Sequence, residues 1–308
     1  MLHSAMLEAI QVNTPRRNPL FTDPLKPQPL SVEHEMEVLA FLAERPVHTV
    51  IMASFIRDNG VVSRLHRGTF YACRDCEGRL EGVALIGHHT LTEARSAAAL
   101  QAFARLAQDY PLAHMIMGEQ EKVSQFWRHY AEGGQQPRLA CRELLLEQRW
   151  PIPVRETVPG LRLATLEDLP HVMPVQAHMA FMESGVNPAE TDPEGFRQRC
   201  ARRIEQGRTW VWLEDGQLIF KADIMADTPQ VIYLEGVYVK PEERGQGYGL
   251  RCLSQLSRKL LERAGCICLF VNERDLRSQA FYNRAGYKLS SYYDTIFLRK
   301  NHEIGNGH

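Results

Sequence analysis

A glycine-dense, basic turn follows directly on a strand-like run, and this junction constrains the chain more than any other segment. It reads VYVKPEERGQGYG over residues 237–249. Glycine adopts positive φ without a Cβ clash, so Gly245, Gly247 and Gly249 allow successive N–H groups to point at one ligand. Arg244 adds a fixed positive charge beside them. The junction therefore predicts a turn that binds an anion such as phosphate.

The residues after the turn predict a helix. Leucines recur at helical spacing over residues 250–264, with charged and polar residues on the other face. Gly265 is expected to end this helix as a C′ glycine. A helix N-terminus carries the positive end of the helix dipole and unpaired N–H groups. We expect both to face the same anion as the turn.

Two other glycine-rich phosphate-binding motifs are excluded here. A P-loop requires G-x-x-x-x-G-K-[ST], and no Lys-Ser or Lys-Thr follows these glycines. A Rossmann fingerprint requires G-x-G-x-x-G and an acidic residue after the next strand, and this pattern is not met. The pattern that is met is R-x-x-G-x-G, formed by Arg244, Gly247 and Gly249.

A second motif lies downstream. Residues 266–271 are a continuous apolar run of strand length, and Asn272 stands at its end. Residues 278–287 then predict a short helix that carries Tyr282 and is closed by Gly286. In order and spacing, the two motifs together resemble the GNAT acyltransferase superfamily.

This resemblance implies a fold and a coenzyme. The fold would be α/β (α+β), with the mixed central sheet of GNAT acyltransferases, and acetyl-CoA would be the acyl donor with its pyrophosphate on the turn. No metal is implied. The residues implied to bind the coenzyme are Val237, Tyr238, Val239, Arg244, Gly245, Gln246, Gly247, Tyr248, Gly249, Asn272 and Phe281.

The implied activity is direct transfer of an acetyl group to a primary amine. By resemblance, Tyr282 is the general acid that protonates the leaving thiolate, and the alternative is that it packs in the core beside Phe281. The general base is less defined. Strand alternation places Glu235 on the same face as the coenzyme-binding strand residues. The alternatives are a surface role for Glu235, with Tyr233 or a chain of waters as the base.

Two segments are candidates for acceptor binding. Residues 182–188 form a predicted loop in which Glu183 would meet a cationic amine. Lys221 and Asp223 interrupt a strand pattern, and either faces the cleft or solvent. The expected partner is a small-molecule or peptide amine. The alternative function is a non-catalytic acyl-CoA-binding or protein-interaction module.

Length and proline distribution predict the organisation of the 308 residues. Five prolines between positions 15 and 29 predict an arm over residues 1–32, and a proline-bearing segment predicts a linker over residues 150–159. The catalytic domain would occupy residues 160–299, followed by a tail at 300–308. Residues 33–149 have a similar order of predicted elements but no R-x-x-G-x-G. We interpret them as a degenerate copy of the same fold, in a tandem arrangement, with an unrelated α/β accessory domain as the alternative.

Composition indicates the class of protein. A net charge of −1 and a pI near 6.9 give no overall reason to expect nucleic acid as a partner. No apolar stretch approaches the ~20 residues of a membrane span, and the amino terminus lacks a signal-peptide core, so we expect a cytoplasmic protein without a membrane partner. Seven cysteines without framework spacing predict reduced thiols, and the pair Cys73 and Cys76 predicts a strand end and turn rather than a metal site. The sequence leaves an oligomer open.

Overall fold

The computed structural model describes residues 25–153 and 156–299, which form one twelve-stranded mixed sheet flanked by helices. The first half of the chain contributes β1 (Gln28–Pro29), α1 (Glu35–Ala43), α2 (Pro46–Asn59), β2 (Gly68–Arg74), β3 (Leu80–Gly87), β4 (His89–Ala94), α3 (Ala97–Gln108), β5 (Met115–Glu119), α4 (Gln120–Tyr130) and β6 (Pro137–Gln148). The second half contributes β7 (Arg162–Leu163), α5 (Leu169–Ser184), α6 (Pro188–Thr191), α7 (Pro193–Glu205), β8 (Thr209–Glu214), β9 (Gln217–Asp227), β10 (Val231–Val239), α8 (Tyr248–Leu261), β11 (Cys266–Asn272), α9 (Leu276–Arg284) and β12 (Lys288–Leu298).

The two halves repeat one topology. The strand order across the sheet is β1-β2-β3-β4-β5-β12-β6-β11-β10-β9-β8-β7. In each half, consecutive strands pair antiparallel until one parallel pair, which is β4 with β5 and β10 with β11. In each half, helices also precede the second strand, join the parallel pair and precede the last strand. The predicted α/β fold with a mixed sheet is confirmed.

The halves exchange their last strands. Strand β12, from the second half, pairs with β5 of the first half, and β6, from the first half, pairs with β11 of the second half. The two exchanged strands also pair with each other in the middle of the sheet. Leu145 on β6 packs into the apolar cluster that joins the halves, while Leu144 and Leu146 pack into the core of the second half. Each half therefore completes its sheet with a strand of the other.

The helix after the glycine turn differs from its prediction. It runs from Tyr248 to Leu261 with Glu262 as its C-cap, and Gly265 does not adopt positive φ. The prediction that Gly265 is the C′ glycine was therefore wrong. Because β11 begins at Cys266, the chain leaves the helix earlier and uses residues 262–265 to turn into the strand.

The predicted connecting segments are described only in part. The predicted arm at 1–32 lies outside the described residues up to position 24, and the tail at 300–308 lies outside them entirely. Of the predicted linker, residues 150–153 and 156–159 are described. Its Val158 is bound to α8, since the backbone N–H of Val158 donates to Gln255 Oε1 at 2.8 Å. Within the described ranges, no helix has the length and apolar character needed to cross a membrane.

Candidate active site

A cleft opens where the parallel pair of the second half separates. Strands β10 and β11 pair only from Val231 to Tyr233 on β10, although β10 continues to Val239. Strand β11 itself continues to Asn272, paired with β6 along its other edge. The cleft has a volume of about 780 Å³, within the range of small-molecule sites. The predicted site residues that line it are Val237, Val239, Arg244, Gly245, Gly247, Tyr248, Gly249, Phe281 and Tyr282.

Other predicted residues lie around this cleft without lining it, namely Glu235, Tyr238, Gln246 and Asn272. Asn272 ends β11, and its side-chain oxygen accepts the backbone N–H of Arg274 at 2.9 Å. Sequence reasoning missed further lining residues, which are Glu243, Leu250, Asp275, Arg277, Ser278, Ala280 and Arg284. Two of these residues, Arg277 and Arg284, could have been predicted, because they are basic side chains on a helix that follows an anion-binding turn.

The three glycines of the turn have different roles. Gly245 and Gly247 have φ of +83° and +84°, and a Cβ added at either would meet no atom within 4 Å. Gly249 instead lies against the strand, since its Cβ would fall 2.8 Å from Val239 Cγ2. The first two glycines thus supply a left-handed backbone with open space above it, and the third allows close packing of α8 on β10.

The turn also concentrates positive charge. The Nε–H of Arg244 donates to the Val239 carbonyl at 3.1 Å, which holds the guanidinium over the end of β10. Helix α8 begins at Tyr248 with no acidic residue in its first turn. Its first N–H groups have no intrahelical acceptors and carry the positive end of the dipole. The turn therefore fits a pyrophosphate, which would lie in the open space above Gly245 and Gly247.

Tyr282 lies on α9 and is half-buried at the cleft. Its ring contacts Phe281 and Tyr287, with centroids 5.2 Å and 5.9 Å away. Burial and the nearby Asp275 carboxylate raise the pKa of Tyr282 above its ordinary value, so the phenol is protonated at neutral pH. The neighbouring Tyr287 is fully buried and its hydroxyl is hydrogen-bonded to Ser257 at 3.0 Å. Of the two tyrosines, Tyr282 is the one that lines the cleft with a proton to donate.

Three glutamates from different elements influence one another's charge. Glu235 on β10 accepts a hydrogen bond from the Tyr233 hydroxyl at 3.0 Å. Glu143, on the exchanged strand β6, accepts one from the Thr295 hydroxyl at 2.6 Å. Desolvation by the surrounding protein and the other two carboxylates raise the pKa of Glu183 above its ordinary value. The residue nevertheless keeps part of its surface exposed to solvent. Burial and Glu235 likewise raise the pKa of Glu143, so this region favours a cation.

Lys221 lies beneath the cleft strand rather than on its surface. It is fully buried on β9, and its ammonium donates to Asp223 Oδ2 at 2.5 Å and to Gln176 Oε1 at 2.7 Å. Asp223 is also buried and accepts from Arg203 at 2.9 Å. Burial alone would raise the pKa of Asp223, but the two cations lower it below its ordinary value. Lys221 and Asp223 therefore face neither the cleft nor solvent, because they pair with each other and with Arg203 inside the protein.

The corresponding place in the first half is occupied by an ion network. Arg45 bridges Glu119, at the end of β5, and Glu93 on β4, at 2.7 Å and 3.0 Å. Lys122 also contacts Glu93 at 2.7 Å. Burial would raise the pKa of Glu119, but Arg45 and the neighbouring cations lower it to about 2. Strands β4 and β5 also stop pairing, after Leu91 and Met117, and the salt bridges span the gap between them.

The pair Cys73 and Cys76 lies at a strand end and the turn after it, as predicted. In the part of the chain that the structure describes, no group of three or more His, Cys, Asp or Glu side chains is placed to hold a metal ion.

Comparisons with known proteins show a family likeness in the second half. Residues 175–287 match the model described as the acetyltransferase (GNAT) family. This match covers both motifs found in the sequence. A search of curated proteins returned no match.

Solved structures extend the likeness to both halves. A tandem GNAT protein from the clavulanic acid biosynthesis pathway has a TM-score of 0.57 at 13% identity, over 89% of this chain and 98% of that one. A Drosophila protein has a TM-score of 0.66 at 12% identity, over 90% and 99%. A GNAT-family acetyltransferase from Colwellia psychrerythraea has a TM-score of 0.55 at 11% identity, over 89% and 100%. At these identities the likeness shows the fold, and it confirms the predicted GNAT fold with tandem copies.

Proposed function

We propose that the second half of the chain is a GNAT-family domain that transfers an acetyl group from acetyl-CoA to a primary amine. The observation that carries the proposal is the cleft itself, which brings Tyr282 to the same opening as the left-handed glycine turn and the start of α8. We assign catalysis to residues 160–299, and we treat residues 33–149 as an accessory copy because salt bridges join its β4 to the end of β5.

The chain's residues would act in a single displacement. The coenzyme supplies an activated thioester. Glu235 accepts a proton from the acceptor ammonium, and the freed nitrogen lone pair forms the new C–N bond as the C–S bond breaks. Tyr282 donates its proton to the departing sulfur and regains one from solvent, while the new amide nitrogen releases its second proton to solvent and Glu235 returns there the proton that it accepted. Backbone N–H groups near Val239 stabilise the negative charge that develops on the carbonyl oxygen.

The glutamates support an acceptor that is cationic before reaction. Burial and repulsion among Glu183, Glu143 and the proposed base, Glu235, raise the pKa of Glu183 and Glu143. A protonated amine relieves this repulsion, so binding of the amine is favoured at the place where its proton must be removed. We assign Asn272, at the end of β11, and Tyr238, near the end of β10, to contacts with the pantetheine arm. We therefore propose that the acceptor is an amine that is cationic before reaction, either a small molecule or a peptide.

The first test is a calorimetric titration followed by an acceptor screen. We expect one acetyl-CoA per chain, because the glycine turn occurs in only one half. Amines, amino acids, aminoglycosides and peptides are then screened for release of free thiol from acetyl-CoA. Two equivalent coenzyme sites would contradict the assignment. Coenzyme binding without turnover on any amine would favour a non-catalytic acyl-CoA-binding module.

Tyr282→Phe tests the general acid. We expect kcat to fall by about 10- to 1,000-fold, while the affinity for acetyl-CoA changes little, because only the transition state gains from the transferred proton. Tyr287→Phe is the matched control, since it removes the hydroxyl of a neighbouring tyrosine that is bound to Ser257. Wild-type turnover in Tyr282→Phe, with chemistry rate-limiting, would make Tyr282 a packing residue.

A further inference from the structure

A buried ammonium lies directly under the irregular part of the cleft strand. Lys221 has three N–H donors, and three acceptors surround it: Asp223, Gln176 and the Gly236 carbonyl oxygen at 3.4 Å. Its side chain has no solvent exposure. A charge buried this completely is costly unless it is paired and hydrogen-bonded, and here it links β9, α5 and β10.

The strand above it contains a β-bulge. In the β9–β10 ladder, Glu235 pairs with Asp223 and Tyr238 pairs with Lys221. Gly236 and Val237 therefore stand opposite the single residue Ala222. Such an insertion bends the strand and redirects the residues that follow it. The bulge includes Val237 and lies just before Val239, and both residues line the coenzyme cleft.

Gly236 is the point where the lysine and the bulge meet. Its φ of +62° is left-handed, and a Cβ there would fall 2.9 Å from Lys221 Nζ and 3.3 Å from Asp223 Oδ2. The position thus needs glycine both for its conformation and for the space that the ammonium occupies. Arg203 and Thr209 hold Asp223 from the other side, at 2.9 Å and 2.8 Å. The lysine is therefore fixed below and contacts the bulge above.

We propose that Lys221 is a positioning residue that sets the geometry of the Gly236 bulge, and through it places the backbone of residues 237–239 for the pantetheine and thioester end of acetyl-CoA. This inference rests on the proposed function. It assigns Lys221 to support of the cleft strand instead of acceptor contact. The pyrophosphate turn lies beyond the bulge and is held by its own glycines and Arg244, so it does not depend on Lys221.

The test separates the two ends of the coenzyme. Binding of acetyl-CoA is compared with binding of 3′-phosphoadenosine 5′-diphosphate, which carries the pyrophosphate but lacks the pantetheine arm. For Lys221→Met in the full chain, we expect acetyl-CoA affinity to fall about 10-fold or more, a loss of about 1.4 kcal/mol, with nucleotide affinity unchanged. Gly236→Ala should show the same split. Because both variants act through one bulge, the double variant should lose less than the product of the two single effects.

Arg263→Met is the matched control. Arg263 pairs with Asp227 at the far end of β9, at 2.7 Å, and lies outside the bulge. It should change neither affinity. If Lys221→Met lowers the affinity for acetyl-CoA and for the nucleotide equally, or lowers neither affinity, the positioning role is overturned. If Lys221→Met does not fold, Gly236→Ala decides the question by the same split. A wild-type protein that binds acetyl-CoA no more tightly than the nucleotide would instead contradict the proposed coenzyme site.

Discussion

The second half of the chain, expressed alone as residues 160–308, is expected to lose its fold and its coenzyme binding. Without β6, the six residues Ile267–Asn272 of β11 have no ladder partner on one side. Strand β12 loses its partners on both sides, since it lies between β5 and β6. The core also loses Leu144 and Leu146, and each large buried side chain removed costs about 2–5 kcal/mol. These losses together are comparable with the ~5–15 kcal/mol that stabilises a whole domain.

Far-UV circular dichroism, gel filtration and acetyl-CoA titration measure this outcome. The matched control is co-expression of residues 1–149 with residues 150–308, which keeps every strand and the contact of Val158 with α8 and breaks only the connection. We expect the two fragments to purify as a 1:1 complex that binds acetyl-CoA. A monomeric 160–308 fragment with intact coenzyme affinity would show that β12 moves into the place of β6 and that the exchange is dispensable.

The sequence predicted those features that depend on neighbouring residues. The R-x-x-G-x-G turn, its position after a strand and the short helix that carries Tyr282 are all local, and the structure places them at one cleft. The end of the long helix was predicted less well, because its apolar stripe continues to Ala264, past the point where the chain turns into β11.

Features that depend on distant residues could not be predicted. Nothing in the pattern of residues 137–148 indicates that this strand pairs with β11 of the other half, so Glu143 was not found as a neighbour of Glu183 and Glu235. Lys221 illustrates the same limit. A lysine in a strand pattern suggested a surface or cleft position, whereas its acceptors on α5 and on the bulge of β10 allow it to be buried.

The exchange also explains why a half without a coenzyme turn is retained in the fold. Strand β6 gives the second half both a core strand and the Glu143 carboxylate, and the first half receives β12 in return. The salt bridges of Arg45 close the first half's own parallel pair, so that half contributes structure rather than a second cleft. This arrangement supports our proposal of one coenzyme site in a two-copy fold.

Gly247→Val is expected to abolish coenzyme binding while the fold persists. The open space above Gly247 is where the pyrophosphate would lie, so a branched side chain there would occupy the position of the ligand. The residue is also the N-cap of α8 with φ of +84°, and a β-branched residue would tilt the first N–H groups of the helix away from the anion. Calorimetry with acetyl-CoA measures the loss, and a thermal melt measures the stability.

Gly78→Val is the control for Gly247→Val. It introduces the same backbone strain at a turn that is remote from the proposed ligand site. Gly78 lies in the turn between β2 and β3 with φ of +82°, and a Cβ there would also meet no atom within 4 Å. Both substitutions force a left-handed residue other than glycine, at a cost of about 1–2 kcal/mol each. We therefore expect similar shifts of the melting temperature, but wild-type coenzyme affinity only in Gly78→Val. Retained binding in Gly247→Val would place the pyrophosphate elsewhere, because a ligand seated on this turn cannot share its space with the valine side chain.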